Sequence, residues 1–363
     1  MMKSRATYNR FLLLLLLPAV IVFSVLYLTS LPLSSLVRNS NLSSIQLSFK
    51  NSLNHSSCAY LSSRKPTVVN TQSSQCRPFK VSDKRAFFER ESTQINLPRR
   101  LSNLTANNLH HRLQSLRLAI VVCAHNAEKV IDKFRNYAES IIDLFHPSSH
   151  ILICESDSKD NTLKILHQWS RAQIYTYRNL YKSIPKRTER IAFCRNKLLE
   201  KVRQLQSDYM LVLDIDILAT NVNSFLSNFE YDTNNWSVMT ANTIGSYYDI
   251  WALRTLSDTI LNYDVWHRVW SLRFISDYCL DSLVKNILNI HQKTFPVGRD
   301  LLEVRSAFGG AGLYKMNSTK DCYYSGEAYT CEHVPFHLCM REKNQARIFI
   351  NPKFRHRRLH NIK

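Results

Sequence analysis

The sequence predicts an α/β fold: a mixed sheet flanked by helices, preceded by an N-terminal transmembrane helix and a stem. Three observations predict it. Between residues 116 and 218, continuous apolar runs alternate with segments of helical period, the pattern of a largely parallel sheet with crossover helices. Each of the three strongest runs ends in polar residues, His125-Asn126, Glu155-Ser156-Asp157 and Asp214-Ile215-Asp216. Ligands of open α/β sheets gather at such strand ends. Finally, Phe11 to Leu33 is an uncharged apolar run of the length that crosses a bilayer as a helix.

That run exceeds the ~7 to 15 residues usual for the apolar part of a cleaved signal, which favours a retained anchor. Lys3, Arg5 and Arg10 precede it, so the orientation rule puts residues 1–10 in the cytosol and the remainder in the lumen, a type II topology. Asn41, Asn54, Asn103, Asn235 and Asn317 each begin an Asn-x-Ser/Thr acceptor, in keeping with a secretory lumen. Nine cysteines in an oxidising compartment call for disulfides. Cys58–Cys76 and Cys322–Cys331 are the expected pairs, with Cys123 and Cys154 as buried thiols inside apolar runs. The net charge of +20 would suit nucleic acid, but a lumenal protein meets none. Membrane headgroups, anionic glycans and nucleotide phosphates are the partners left, beside a plain solvated basic surface.

Residues 34–115, rich in Ser, Asn and Gln and without a sustained period, read as the stem, and 116–363 as the folded domain. LRLAIVVCAHNA, 116–127, is the first strand. Val130, Phe134, Tyr137, Ile141 and Phe145 then mark one helical face. Ile151 to Cys154 is a second strand, Thr162 to Trp169 a second helix, and Ile174 to Tyr177 a third strand. Ile191, Cys194, Leu198, Val202 and Leu205 share a face of the next helix, and YMLVLDIDIL, 209–218, is the fourth strand. No Gly-x-Gly-x-x-Gly follows the first strand, which disfavours a dinucleotide site. Further on lie a strand near Val238 and EVRSAFGGAGLYKM, where Gly309, Gly310 and Gly312 allow a close backbone approach or a strand bulge.

On an extended strand Asp214 and Asp216 share a face about 7 Å apart. Their repulsion calls for a counter-charge, and Mg²⁺ or Mn²⁺ takes carboxylate and diphosphate oxygens together; a helix cap or surface pair is the plainer reading. In ICESDSKDNT, Glu155 and Asp157 can receive ribose hydroxyls or base N–H groups, while Asp160 or Asn161 can cap the following helix. Arg187, Arg190 and Arg195 with Asn196 suit phosphate oxygens, or form a solvated helix face. His333 and His337 share a helical face in CEHVPFHLCMRE, although Pro335 counts against a helix there. One of them is expected as a third ligand beside Asp216, the other behind it; with Cys331 and Cys339 they match no structural zinc spacing.

Taken together, VVCAHNAE, ICESDSKDNT, RIAFCRN, LDIDIL, FGGAGLYK and CEHVPFH…RIFINP, spread over Leu116 to Pro352, resemble the catalytic domain of GT-A-fold glycosyltransferases. The sequence is most similar to the cryptococcal capsule α-1,3-mannosyltransferase-like family, glycosyltransferase family 69. The resemblance implies a GT-A-like Rossmann-type mixed sheet and transfer of mannose from GDP-mannose to a glycan acceptor by a Golgi or endoplasmic reticulum membrane protein. It implies Asp214 and Asp216 as the metal and nucleotide-sugar pair, Glu155 and Asp157 as nucleoside-binding acids, and Arg190, Arg195 and Asn196 on the diphosphate side. His125, at the end of the first strand, belongs with the donor-binding group. Glu332 and Asp249 are both candidates for the base that takes the acceptor proton. Two other readings stand beside this one: metal-dependent phosphoryl transfer or hydrolysis, and a membrane protein that binds a nucleotide-sugar without turning it over.

Overall fold

The computed structural model describes residues 76–91, 94, 96–102, 105–219 and 221–358. The Phe11–Leu33 run, Cys58 and the acceptors at Asn41, Asn54 and Asn103 lie outside the described residues. Among the described residues no helix is long and apolar enough to cross a membrane.

The apolar runs become strands. β1 (Leu118–Ala124), β2 (His150–Ser156), β3 (Ala172–Tyr177) and β4 (Tyr209–Asp214) form a parallel array in the order β3-β2-β1-β4. Beyond β4 the sheet continues through β9 (Ala311–Lys315), β6 (Val238–Thr243), β10 (Ile348–Arg358), β8 (Leu302–Ser306) and β7 (Arg254–Thr255). β9 runs antiparallel to β4 and β6, β10 lies parallel to β6, and β8 and β7 close the edge antiparallel. The short β5 (Ile217–Ala219) pairs with β10. The result is a mixed sheet with flanking helices.

Side chains of period two divide the core into two layers. On β1 and β4, Ala119, Val121, Met210 and Val212 face one layer, and Leu118, Ile120, Val122, Leu211 and Leu213 the other. In chain order the helices are α1 (Phe87–Arg90), α2 (Ala106–Gln114), α3 (Ile131–Ile142), α4 (Thr162–His167), α5 (Leu180–Ser183), α6 (Arg187–Gln204), α7 (Val222–Leu226), α8 (Val265–Ser276), α9 (Leu280–Ile287) and α10 (His333–Asn344). Ala192, Cys194, Leu198, Leu199 and Val202 of α6 pack in the first layer; Ile131, Phe134, Ala138 and Ile141 of α3 pack in the second. Pro335 falls in the first turn of α10, where its missing N–H would have no helical partner anyway.

Five expectations are corrected. YMLVLDIDIL is not one strand: β4 ends at Asp214, Ile215 and Asp216 form a turn, and β5 leaves to pair with β10. The shared-face argument for the two aspartates therefore does not apply. The stem does not reach residue 115, because Phe87 and Phe88 are buried against Phe295 and α2 precedes β1. Cys322 pairs with Cys339, leaving Cys331 a buried thiol. Cys76 pairs with Cys279 and Cys123 with Cys194; Cys154 is a buried thiol as expected.

Candidate active site

At the C-terminal edge of the parallel strands, Asp214 closes β4 and donates its N–H to the Gly310 carbonyl (2.9 Å). Two glycines make that approach possible. Gly309, at φ +65°, lies so close to Ala241 that a Cβ there would sit 2.2 Å from its carbonyl oxygen. A Cβ on Gly310, at φ +88°, would meet the Tyr248 hydroxyl at 2.7 Å. The FGGAG turn is thus a close crossing of three backbones, and of the two sequence readings close approach is the one realised.

Arg195, on α6, is the centre of the site. Its guanidinium contacts Asp214 Oδ1 at 3.1 Å and Glu332 Oε1 at 3.0 Å. It lies over the ring of Phe308, 4.8 Å from the centroid, with Tyr324 further off. Glu332 immediately precedes α10 and is wholly buried. Asp249, from the β6–β7 connection, is buried too, and its carboxylate accepts N–H bonds from Gly309 (3.0 Å) and Ala252 (3.4 Å).

Burial pushes the Asp214 carboxyl up to about 7 against the pull of Arg195, and the charges of Asp216, Asp249 and Glu332 add to the rise. Asp249 is raised to about 6, again by burial first, with its two N–H donors working the other way. Asp214 and Glu332 thus share Arg195, and the charges of Asp216 and Asp249 act on the same carboxyl.

The two histidines separate. His337 is held at both ring nitrogens, by Ser306 Oγ (2.9 Å) and the Tyr314 hydroxyl (2.8 Å), and is fully buried. Neither nitrogen is left for a metal, so the expected ligand His337 is instead a core histidine. His333 stacks on Phe308 at 3.7 Å, and its Nε2 is buried without a hydrogen bond, 3.8 Å from Glu332 Oε1. Burial and the nearby Arg195 hold both rings neutral. Among the described residues no three His, Cys, Asp or Glu side chains close on a common point. The expected set of Asp214, Asp216 and a histidine is thus not assembled as an all-protein cage. An ion here would take one or two carboxylates and complete its shell with diphosphate oxygens, the ordinary arrangement for Mg²⁺.

The remaining expected residues stand on the same sheet edge but are engaged in holding loops. His125 meets the Ser156 carbonyl (2.6 Å) and Asn126 (3.0 Å), tying the end of β1 to that of β2. Glu155 is buried and accepts from Ser158 N–H (2.9 Å). Asp157 caps α5, accepting from Asn179 N–H (2.6 Å) and Tyr181 N–H (2.8 Å). Asn196 forms a two-point bond with the Tyr324 backbone (2.9 and 2.8 Å), and Arg190 Nη1 donates to the Ile184 and Pro185 carbonyls (2.9 and 2.6 Å). The diphosphate role expected of Asn196 and Arg190 is therefore not visible in their geometry; both brace the loops round the site. Tyr324 carries no signal in the sequence, whereas Phe308 lies in the FGGAGLYK motif before its two glycines.

The fold is thus a mixed α/β sheet carrying an acidic cluster round one arginine at its strand ends. No family model and no curated protein matches the chain. Among solved structures, glucosyl-3-phosphoglycerate synthase from Mycobacterium tuberculosis in complex with Mn²⁺, UDP and glucosyl-3-phosphoglycerate shares 11% identity over 71% of this chain and 74% of that one, at a TM-score of 0.39. A mannosyltransferase from Pyrobaculum calidifontis in complex with GDP-Man and Mn²⁺ shares 10% over 69% and 58%, at 0.40. S. aureus TarS shares 14% over 65% and 35%, at 0.39. Likenesses this distant assign no activity, and the site is read from its own residues.

Proposed function

We propose that this chain is a membrane-anchored, type II glycosyltransferase of the Golgi or endoplasmic reticulum that moves a sugar from a nucleotide-sugar to a glycan acceptor. Mannose from GDP-mannose, delivered to an α-1,3 position, is the first candidate, as the motif resemblance implies. The observation that carries the reading is the pairing of Asp214 and Glu332 on Arg195 at the carboxyl end of β4, with the charges of Asp216 and Asp249 acting on the Asp214 carboxyl. The fold presents these carboxyl groups where α/β sheets bind ligands.

Asp214 and Asp216 are the residues that would hold a divalent ion. Bound there, Mn²⁺ or Mg²⁺ supplies charge to stabilise the departing nucleoside diphosphate. Arg195 is a positioning residue: it holds the Asp214 and Glu332 carboxyl groups side by side. Glu332 and Asp249 remain the two candidates for accepting the acceptor hydroxyl proton. Asp249, raised to about 6, has the affinity a general base needs near neutral pH. Glu155, Asp157 and His125 shape the rim beside β1 and β2 where the nucleoside would lie. A phosphoryl-transfer centre built on two protein-held ions would need more ligands than the described residues bring together.

The test is nucleoside diphosphate release by the full chain in detergent, screened over GDP- and UDP-sugars with Mn²⁺, beside Asp216→Asn. Metal-dependent release from one donor, lost at least tenfold in the variant, is expected. No turnover with any donor, together with unaltered Mn²⁺ binding in Asp216→Asn, overturns the reading and favours a protein that only binds nucleotide-sugars.

A further inference from the structure

Helix α8 (Val265–Ser276) carries apolar residues on two faces. Val265 and Val269 are buried, and Trp266 and Leu272 pack partly against the core. On the outward side Phe274 is 56% and Ile275 82% exposed, and Trp270 stacks on Phe274 with ring centroids 5.8 Å apart. Ile275 and Phe274 are the two most exposed hydrophobics on the described surface after Tyr181 is set aside. Arg268, on the same helix, and Arg77, whose guanidinium donates to the Ser276 carbonyl, are exposed near this patch. An aromatic pair and a bulky aliphatic rimmed by basic residues is the composition of a surface that lies in the headgroup region of a bilayer.

The course of the chain gives a second, independent reason. The first described residues are stitched to the turn that ends α8. Cys76 is disulfide-bonded to Cys279. Arg77 N–H donates to the Asp277 carbonyl (3.0 Å), its guanidinium to the Ser276 carbonyl (2.7 Å), and Cys279 N–H returns to the Arg77 carbonyl (2.8 Å). The first described residues therefore lie at the end of α8, next to Phe274 and Ile275.

We propose that the Trp270–Phe274–Ile275 face of α8 docks on the lipid bilayer and is a second membrane contact, additional to the N-terminal run; the inference rests on the type II anchoring proposed above. Tethering raises the effective concentration of the face at the bilayer to the order of millimolar, so shallow insertion of a few side chains suffices. The other end of α8 leads to the active site. Asp264, its N-cap, accepts bonds from Trp251, Arg254 and Thr330, and His267 contacts the Ala328 carbonyl, in the segment that runs into Glu332. Docking through α8 fixes how the site is held over the membrane and favours acceptors presented at its surface.

All five tryptophans, Trp169, Trp236, Trp251, Trp266 and Trp270, lie in the described unit and none in residues 1–75. Tryptophan emission thus reports the approach of the folded unit to lipid, independently of the anchor. The full chain is reconstituted in phosphatidylcholine vesicles whose acyl chains are brominated near the headgroup, and in unbrominated ones. Bromolipid is expected to lower the emission, Trp270→Phe to remove most of that drop, Phe274→Ser with Ile275→Ser to at least halve it, and Trp251→Phe to leave it. Chain that stays with the vesicles through an alkaline wash yet emits equally in both lipids keeps the anchor and overturns the docking. Chain that the wash removes overturns the anchor and, with it, this inference. A drop that survives Trp270→Phe places another face at the membrane and overturns the inference.

Discussion

Arg195→Met tests the centre of the site. The substitution keeps an unbranched apolar stem against Phe308 and Tyr324 but removes the charge that meets Asp214 at 3.1 Å and Glu332 at 3.0 Å. Each contact near 3 Å is worth on the order of 5 kcal/mol at an effective dielectric of about 20, before the cost of burying the ions. That burial cost leaves the net value of the triad small. Removing one partner is different, because Glu332 is 0% exposed and would be left as a buried carboxylate without its counter-ion. Breaking such a pair costs about 3–5 kcal/mol, which in urea melts lowers the midpoint by roughly 1–2 M for a slope of about 3 kcal/mol/M. Arg195→Met/Glu332→Gln, which removes the stranded charge as well, should recover at least half of the loss. A single variant that loses less than about 1 kcal/mol, or a double variant no more stable than the single one, refutes the view that Arg195 balances these carboxylates.

Gly309→Ala places a methyl 2.2 Å from the Ala241 carbonyl oxygen at φ +65°, and should cost about 2 kcal/mol or more, read as a lowered thermal midpoint or loss of soluble protein. Burial lowers His356 to about 3. The folded state therefore refuses a proton that the unfolded chain takes up below about 6.5, so stability is intact above that pH and falls as pH drops towards 3. At pH 5 the loss is about 2 kcal/mol. His356→Gln, able to keep the bond to the Tyr137 hydroxyl (3.2 Å), should flatten the acid limb of the stability curve, and an unchanged slope between pH 7 and 5 counts against it. Cys123→Ser opens a disulfide that spans 71 residues between β1 and α6 and should cost about 2–5 kcal/mol in non-reducing melts, with no difference from the parent under reduction. His337→Gln should leave Mn²⁺ affinity unchanged, since both nitrogens of that ring serve Ser306 and Tyr314; a tenfold weaker affinity restores it as a ligand.

Much of the fold was legible because its signals are local. The runs at 118–124, 150–156 and 209–214 are apolar enough to name buried strands, and the faces of α3 and α6 follow from their period. The site was legible in part. Polar residues at strand ends identified its edge, and Asp214, Arg195 and Glu332 do converge there. Their roles were not legible: Asn196, Asp157 and Arg190 are polar residues of the expected kind, but each satisfies backbone groups of a neighbouring loop. No sequence pattern separates a side chain that binds a ligand from one that closes a turn, since both need the same donors and acceptors.

By itself the sequence determined the alternation of strand and helix, the apolar N-terminal run and the acidic character of the β4 terminus, because each depends on residues close in the chain. The tertiary structure alone decided which cysteines meet, that 76–115 belongs to the folded unit, that β4 stops at Asp214, and that His337 lies in the core rather than on a metal. Those outcomes depend on contacts between separate elements, from Cys322 with Cys339 at a separation of 17 to Cys76 with Cys279 at 203. Such contacts are set by packing of whole layers, and a periodicity read along the chain carries no information about them.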